Sequence, residues 1–260
     1  MEDLIDTQSE TDHRGIKIDW VGISSYYHPI QIFDKSGEKQ NTVAEFSLAV
    51  DLSHELRGTH MSRFIEVLNE NPIIISIDQL NLIPQQLLER LNAKRSKVSI
   101  KFPYFNEKTS PQSGAVGLMN YEVNFVTVAD ADEVDSKIVI KIPVTTVCPC
   151  SKAISERGAH NQRGTVTYSV RFDDVIWLDD LISLVESCAS SQLYSILKRS
   201  DEKHVTEEAY DNPVFVEDLV RNISVKTNAL ENVPWYRVEA ENFESIHNHS
   251  AYAQIHKVKD

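Results

Sequence analysis

Glycine and cysteine are scarce in this 260-residue chain, with eight of the first and three of the second. So few cysteines leave no disulfide framework, and a reducing, cytoplasmic setting follows as the expectation. The glycines form neither G-x-x-x-x-G-K-[ST] nor G-x-G-x-x-G, which argues against a glycine loop cradling phosphates. The nucleophile elbow G-x-S-x-G is missing too. No stretch approaches the roughly 20 apolar residues that a membrane helix needs. The opening Met1-Glu2-Asp3-Leu4-Ile5-Asp6 is acidic and lacks the apolar centre of a signal peptide. Basic residues are outnumbered by acidic ones, 26 to 39, for a net charge of −13. That balance argues against a general affinity for nucleic acid or anionic lipid, and leaves room for a local basic pocket that holds a small anion.

What is present is ordinary for a folded protein: 41% hydrophobic and 25% charged residues, in a length that suits one large domain or two small ones. Residues 1–15 are polar and acidic without an apolar period, and read as a mobile arm or an interface strand. Beyond them one plan occurs twice. In the first copy, over 16–135, Ile16–Ser24 and Asn41–Leu52 alternate as strands on either side of a turn at Asp34-Lys35-Ser36-Gly37. Thr59–Asn69 places Met61, Phe64, Ile65 and Leu68 on one helical face. Ile77–Asn92 does the same with Leu80, Ile83, Leu87, Leu88 and Leu91, and Pro84 predicts a start or kink there. Lys97–Tyr104 and Gly117–Val128 read as strands. The second copy, over 136–260, has strands at Lys137–Val147 and Gly164–Phe172, helices at Leu178–Leu197 and Phe215–Val225, and strands at Trp235–Phe243 and Tyr252–Val258. Each copy is thus β-β-α-α-β-β. The pattern predicts an α+β fold of two antiparallel sheets, each with a helix pair on one face. Such short sheets have open edges, and a symmetric oligomer that closes them into a barrel satisfies those edges.

The chemistry concentrates in Pro143-Val144-Thr145-Thr146-Val147-Cys148-Pro149-Cys150-Ser151-Lys152 and in Gly158-Ala159-His160-Asn161-Gln162-Arg163-Gly164. Two cysteines lie at one strand end and a histidine at the start of the next strand. A hairpin would bring Cys148 and His160 together, and thiolate with imidazole suits zinc and similar divalent ions. The plainer reading is two half-buried cysteines beside a loop histidine, since C-x-C is not by itself a closed zinc motif. In Arg199-Ser200-Asp201-Glu202-Lys203-His204, the residues Asp201, Glu202 and His204 are possible further donors, or simply a solvated turn between helices. Glu244-Ser245-Ile246-His247-Asn248-His249 offers a histidine pair for proton transfer, or a polar turn. Lys152, Arg157 and Arg163, with Lys198 and Arg199, form one basic group; Arg57, His60 and Arg63 form another. Either group suits a polyphosphate or carboxylate, or plain surface solvation. Cys188 falls in an apolar stripe and reads as core.

Thr145-Thr146-Val147-Cys148-Pro149-Cys150-Ser151-Lys152 with Gly158-Ala159-His160-Asn161-Gln162-Arg163 resembles the signature of the GTP cyclohydrolase IB family, the prokaryotic, metal-dependent form. Arg57-Gly58-Thr59-His60-Met61-Ser62-Arg63-Phe64, Leu197-Lys198-Arg199-Ser200-Asp201-Glu202-Lys203, Asn212-Pro213-Val214-Phe215-Val216-Glu217-Asp218 and the 244–249 segment resemble it as well. The resemblance runs from about residue 15 to the end. It implies the tunnelling fold, two β-β-α-α-β-β units per chain, assembled into barrels of a homotetramer with active sites at subunit interfaces. It implies hydrolysis of GTP to 7,8-dihydroneopterin triphosphate and formate, the first step of tetrahydrofolate biosynthesis. It further implies one divalent metal per site (Zn, Mn or Fe) on Cys148, His160 and Glu202. Cys150, Glu244, His247 and His249 would take part in catalysis. Glu217 would hold the guanine, with Lys152, Arg163, Arg57, His60 and Arg63 available to the rest of the substrate. The alternatives are a tunnelling-fold relative that gives a cyclic phosphate product, or a non-catalytic metal- and purine-binding protein.

Overall fold

A computed structural model describes the chain except for residues 1–5, 71, 72, 76 and 260 and the side chains of 77–80. Leu80, expected on a helical face, therefore lies outside the described side chains. The elements run β1 (Ile18–Phe33), β2 (Lys39–Leu52), α1 (Met61–Asn69), β3 (Ile74–Ile75), α2 (Ile77–Leu91), β4 (Ser96–Thr109), β5 (Val116–Ala129), β6 (Val134–Val147), α3 (Pro149–Ile154), β7 (Asn161–Arg171), α4 (Leu178–Glu186), α5 (Arg199–Asp211), α6 (Val216–Asn228), β8 (Trp235–Phe243) and β9 (Ser250–Val258). The strands hydrogen-bond in the order β3-β1-β2-β4-β5-β6-β7-β8-β9. The fold is α+β, as the alternation predicts.

The chain forms two compact units. One holds residues 1–102 and 124–137, the other 103–123 and 138–260. The segment 103–123, expected with the first copy, goes with the second. The reason is strand length: β4 and β5 are each 14 residues long and run on from one unit into the other.

In the first unit, β2 pairs antiparallel with β1 and β4. Ala44, Phe46, Leu48 and Val50 alternate inward along β2, and Phe64, Leu68, Ile83 and Leu87 of α1 and α2 are buried in the same unit. Met61, expected on that helical face, is largely exposed because it begins α1. α2 continues through Pro84, whose carbonyl accepts from Ser96 Oγ at 2.9 Å. Of the N-terminal arm, residues 6–12 lie along 55–60. Asp12 N donates to Glu55 O and Arg57 N to Glu10 O, both at 3.0 Å, and Gly58 N donates to Gln8 O at 3.1 Å.

In the second unit, β8 pairs antiparallel with β7 and β9. Val166, Tyr168, Tyr236, Val238 and Ala240 are fully buried, as are Leu219 and Ile223 of α6. The helices here differ from the sequence reading. α4 ends at Glu186, where a run to Leu197 was expected. Past it, Ser187 Oγ and Cys188 Sγ both donate to the Leu184 carbonyl, and the buried Ser190 and Ser191 bond other segments, Val147 and Glu208. Short polar side chains compete for backbone groups in this way and end helices. The 201–204 stretch, which offered itself as a turn, belongs to the helix α5. Only Asp201 and Ala209 of α5 are buried, so its sequence carries no apolar period to read. Cys188 is core, as expected, and burial pushes its thiol pKa up.

Candidate active site

The site is built where β6, β7 and β8 end or begin. β6 stops at Val147. Cys148 is the N-cap of α3, and Pro149 occupies the first helical position, where its missing N–H costs nothing. Ser151 N points at Cys148 Sγ at 3.5 Å, while Ser151 Oγ donates to Cys148 O at 3.1 Å. The chain reverses through Gly158, whose φ of +94° only glycine adopts readily. It returns so that Cys148 N donates to His160 O at 3.1 Å, and His160 N donates to Ser151 Oγ at 3.1 Å. The hairpin therefore brings the strand-end cysteine and the strand-start histidine together.

Two more segments tie down this strand end. Val147 N donates to Ser190 Oγ at 3.0 Å, and Ser190 N to Thr145 O at 3.1 Å. Val214 N donates to Val147 O at 3.0 Å. The Val214 bond anchors the approach to α6, so Glu217, exposed in the first turn of that helix, is tethered to the strand end that carries Cys148.

β8 supplies a residue whose placement the sequence did not reveal. Glu244, the first residue after the strand, has its Oε2 3.9 Å from His160 Nδ1, with the two side chains only 12% and 14% exposed. The same nitrogen lies 3.1 Å from Gln162 Oε1. Both described partners of His160 are thus on Nδ1, and with hydrogen there the Nε2 lone pair is left for another group. Cys148 is half-buried and Cys150 exposed. A thiol with little competing hydrogen bonding and an imidazole with an available lone pair, on residues joined by a backbone hydrogen bond, are donor types that fit zinc and similar ions.

His247 and His249 lie on the loop between β8 and β9, where a shared strand face was one expectation. Their rings nonetheless stack, with centroids 5.1 Å apart at 18°. Lys152 donates to Tyr210 O and sits 4.4 Å over the Tyr210 ring. Arg163 is exposed on β7.

Glu202 is exposed in the first turn of α5. Among the described residues, no three His, Cys, Asp or Glu side chains gather closely enough to hold a metal ion. Within one chain, then, Glu202 is not assembled into such a group with Cys148 and His160. Its neighbour Asp201 is committed elsewhere. Asp201 is fully buried and accepts from Gln112 N, Ser113 N, Ser113 Oγ and Lys198 N at 2.6–2.8 Å. Burial alone would raise its pKa, but hydrogen bonds led by that of the Ser113 hydroxyl hold it below the ordinary carboxylate range. Asp201 is therefore an anchor for α5, not the open donor its sequence position offered. His204 Nδ1 faces Gln112 Nε2 at 3.3 Å.

Arg57, His60 and Arg63 belong to the other unit. Arg57 pairs with Glu10, His60 Nε2 lies 3.3 Å from Asp6 Oδ2, and Arg63 donates to the Arg90 carbonyl at 3.1 Å.

Sequence reasoning missed Gln162, Thr146 and Asn242, which sit beneath the site residues. The available signal was the strand period: each lies two residues from Cys148, His160 or Glu244, and so on the same face.

A family model described as type I GTP cyclohydrolase folE2 matches residues 4–253. A GTP cyclohydrolase FolE2 of Akkermansia muciniphila is 56% identical over 260 residues, covering 99% of this chain and 98% of that protein. That of Citrifermentans bemidjiense is 49% identical over 257 residues, covering 99% and 96%. Among solved structures, uricase from Arthrobacter globiformis aligns with a TM-score of 0.55 at 7% identity, covering 93% of each chain. Urate oxidase from Bacillus sp. TB-90 aligns with a TM-score of 0.53 at 8% identity, covering 93% of this chain and all of that one. At such identities the likeness speaks for the fold alone, and it bears out the tunnelling fold that the sequence resemblance implied.

Proposed function

The chain belongs to the type I GTP cyclohydrolase folE2 family, and from that membership we propose how its residues carry out the reaction. It is a GTP cyclohydrolase: GTP and water give 7,8-dihydroneopterin triphosphate and formate, the first step of tetrahydrofolate biosynthesis. The family is metal-dependent. The observation that carries the reading of the site is the Cys148–His160 hairpin contact, with Glu244 against the same imidazole.

Cys148 and His160, with Glu202 brought to them from its exposed place on α5, would hold one divalent ion, Zn, Mn or Fe. When bound, such an ion supplies Lewis acidity that makes water a nucleophile at neutral pH. The chain's own residues do the rest. Glu217 accepts hydrogen bonds from the guanine N1–H and N2–H, a donor pair that adenine lacks, and so selects the base. His247 and His249 deliver protons to the imidazole nitrogens of the purine as its C8–N bonds break, and Glu244 and Cys150 would take part in the same proton transfers. Ribose opening, rearrangement and ring closure are again proton transfers that the same pair serves. Lys152 and Arg163 neutralise the triphosphate, with Arg57, His60 and Arg63 available to the rest of the substrate, in a homotetramer whose active sites lie at subunit interfaces.

The test is incubation of Zn-, Mn- or Fe-loaded protein with GTP, following formate and pterin fluorescence. Equimolar formate and dihydroneopterin triphosphate are expected. Formate with a product of cyclic-phosphate mass would indicate the other tunnelling-fold reaction, and GTP binding without formate would sink the catalytic reading.

A further inference from the structure

The residues that meet at the strand ends stand in two tiers. The upper tier is Cys148, His160 and Glu244. The lower tier, two residues back along each strand, is Thr146 on β6, Gln162 on β7 and Asn242 on β8. The lower tier is buried, with Thr146 fully covered and Asn242 and Gln162 1% and 7% exposed. Buried polar groups persist where they find hydrogen-bond partners, and among the described atoms of this tier all but Asn242 Oδ1 have one. Here Gln162 Nε2 donates to Thr146 Oγ1 at 3.0 Å, and Asn242 Nδ2 donates to the same oxygen at 3.1 Å. Gly164, opposite Asn242 in the β7–β8 register, makes this possible: a Cβ there would fall 2.3 Å from Asn242 Oδ1 and 2.9 Å from Glu241 O.

This network fixes which end of Gln162 faces upward. A glutamine amide has one donor end and one acceptor end. With Nε2 committed to Thr146, Oε1 is the atom 3.1 Å from His160 Nδ1. The Glu244 carboxylate, 3.9 Å from the same nitrogen, favours a hydrogen there too. An imidazole with hydrogen on Nδ1 presents Nε2 as a bare lone pair.

Resting on the reading of His160 as a metal ligand, we propose that Gln162 is a positioning residue. Locked by Thr146 and Asn242, it holds the His160 ring in the orientation and the Nδ1–H tautomer that a divalent cation at Nε2 requires. Partners of this kind on a ligating histidine typically contribute about 10–100-fold in metal affinity.

The experiment measures Zn²⁺ and Mn²⁺ affinity of the full-length chain by competition with a chromogenic chelator, with thermal unfolding of the metal-free protein followed in parallel. Gln162→Leu is expected to weaken binding by about 10–100-fold. Gln162→Glu, which still accepts from Nδ1–H, is expected to return binding to near the native value. A structural role alone would lower the unfolding temperature of Gln162→Leu without changing affinity, and would give no rescue; native affinity in Gln162→Leu, or equal loss in Gln162→Glu, overturns the proposal. His160→Gln separates the two levels of the argument. If it keeps native affinity, the ligand reading itself fails; if it loses metal while Gln162→Leu does not, only the positioning role fails. Should Gln162→Leu not fold, neutron diffraction from metal-free crystals of the unaltered chain decides: hydrogen on His160 Nδ1 is expected, and hydrogen on Nε2 overturns the proposal.

Discussion

Cys148 and His249 are held in different ways. Cys148 is clamped by its own helix cap and by the backbone bond to His160, so its sulfur direction is set before any ligand arrives. His249 stands on a loop, stacked on His247. Cys148→Ala is therefore expected to abolish both metal retention and turnover, while His249→Ala retains metal and slows the chemistry by about 10²–10⁴-fold, the usual worth of a positioned proton-transfer group. Elemental analysis beside formate release checks both. Metal retained in Cys148→Ala would reassign the ligands. The cysteine and histidine spacing was legible because a strand end, a proline and a glycine reversal are local signals. The contact of Glu244 with His160 was not, because it joins residues brought together only by the pairing of β7 with β8.

Two elements show how buried charge holds the second unit together. Lys108 of β4 and Glu186, which ends α4, form an ion pair at 2.7 Å with side chains 10% and 5% exposed. Tyr121 also donates to Glu186 at 2.7 Å. Burial and the Glu186 charge push the Tyr121 pKa up, which keeps its hydroxyl protonated as the donor. Lys108→Met removes one partner and leaves the carboxylate buried, so it should cost about 3–5 kcal/mol in urea unfolding. A loss below about 1 kcal/mol would mean that the pair behaves as a surface one.

The Asp201 anchor of α5 behaves differently with pH. Its folded-state pKa lies below the ordinary 3.8, so its ionised form contributes stability that is fully present above that value and is lost as pH falls toward the folded pKa. Asp201→Asn should lower the melting temperature at about pH 7, and the gap from the native chain should narrow at about pH 3. An equal gap at both would show that the carboxylate charge is not what holds the helix. α5 itself was illegible as a helix because its charged residues face solvent on nearly every side. By contrast α1, β2 and β8 carried strong apolar periods and were read within about two residues of their bounds, the margin within which element ends are usually defined.

For the whole molecule, β4 and β5 contribute residues to both of the two compact units. β9, at one end of the strand order, pairs only with β8 among the described strands, and Tyr252 and Val258 on it are 59% and 66% exposed. An open edge with apolar side chains is a surface that a second copy can cover. The proposed homotetramer should appear in sedimentation equilibrium of the native chain; a fully active monomer would refute the proposal of interface active sites.

The sequence by itself determined the alternating and helical faces, hence the repeated strands and helices, and the strand–turn–strand that joins Cys148 to His160. It could do so because periodicity and turn residues act over a few neighbours. Only the tertiary structure decided which distant residues share one spot. Thr146 and Asn242 bond across 96 positions of chain, and no local pattern encodes that meeting. It depends on the register that strand pairing and core packing choose together, which is why the buried support beneath the site emerged only in three dimensions.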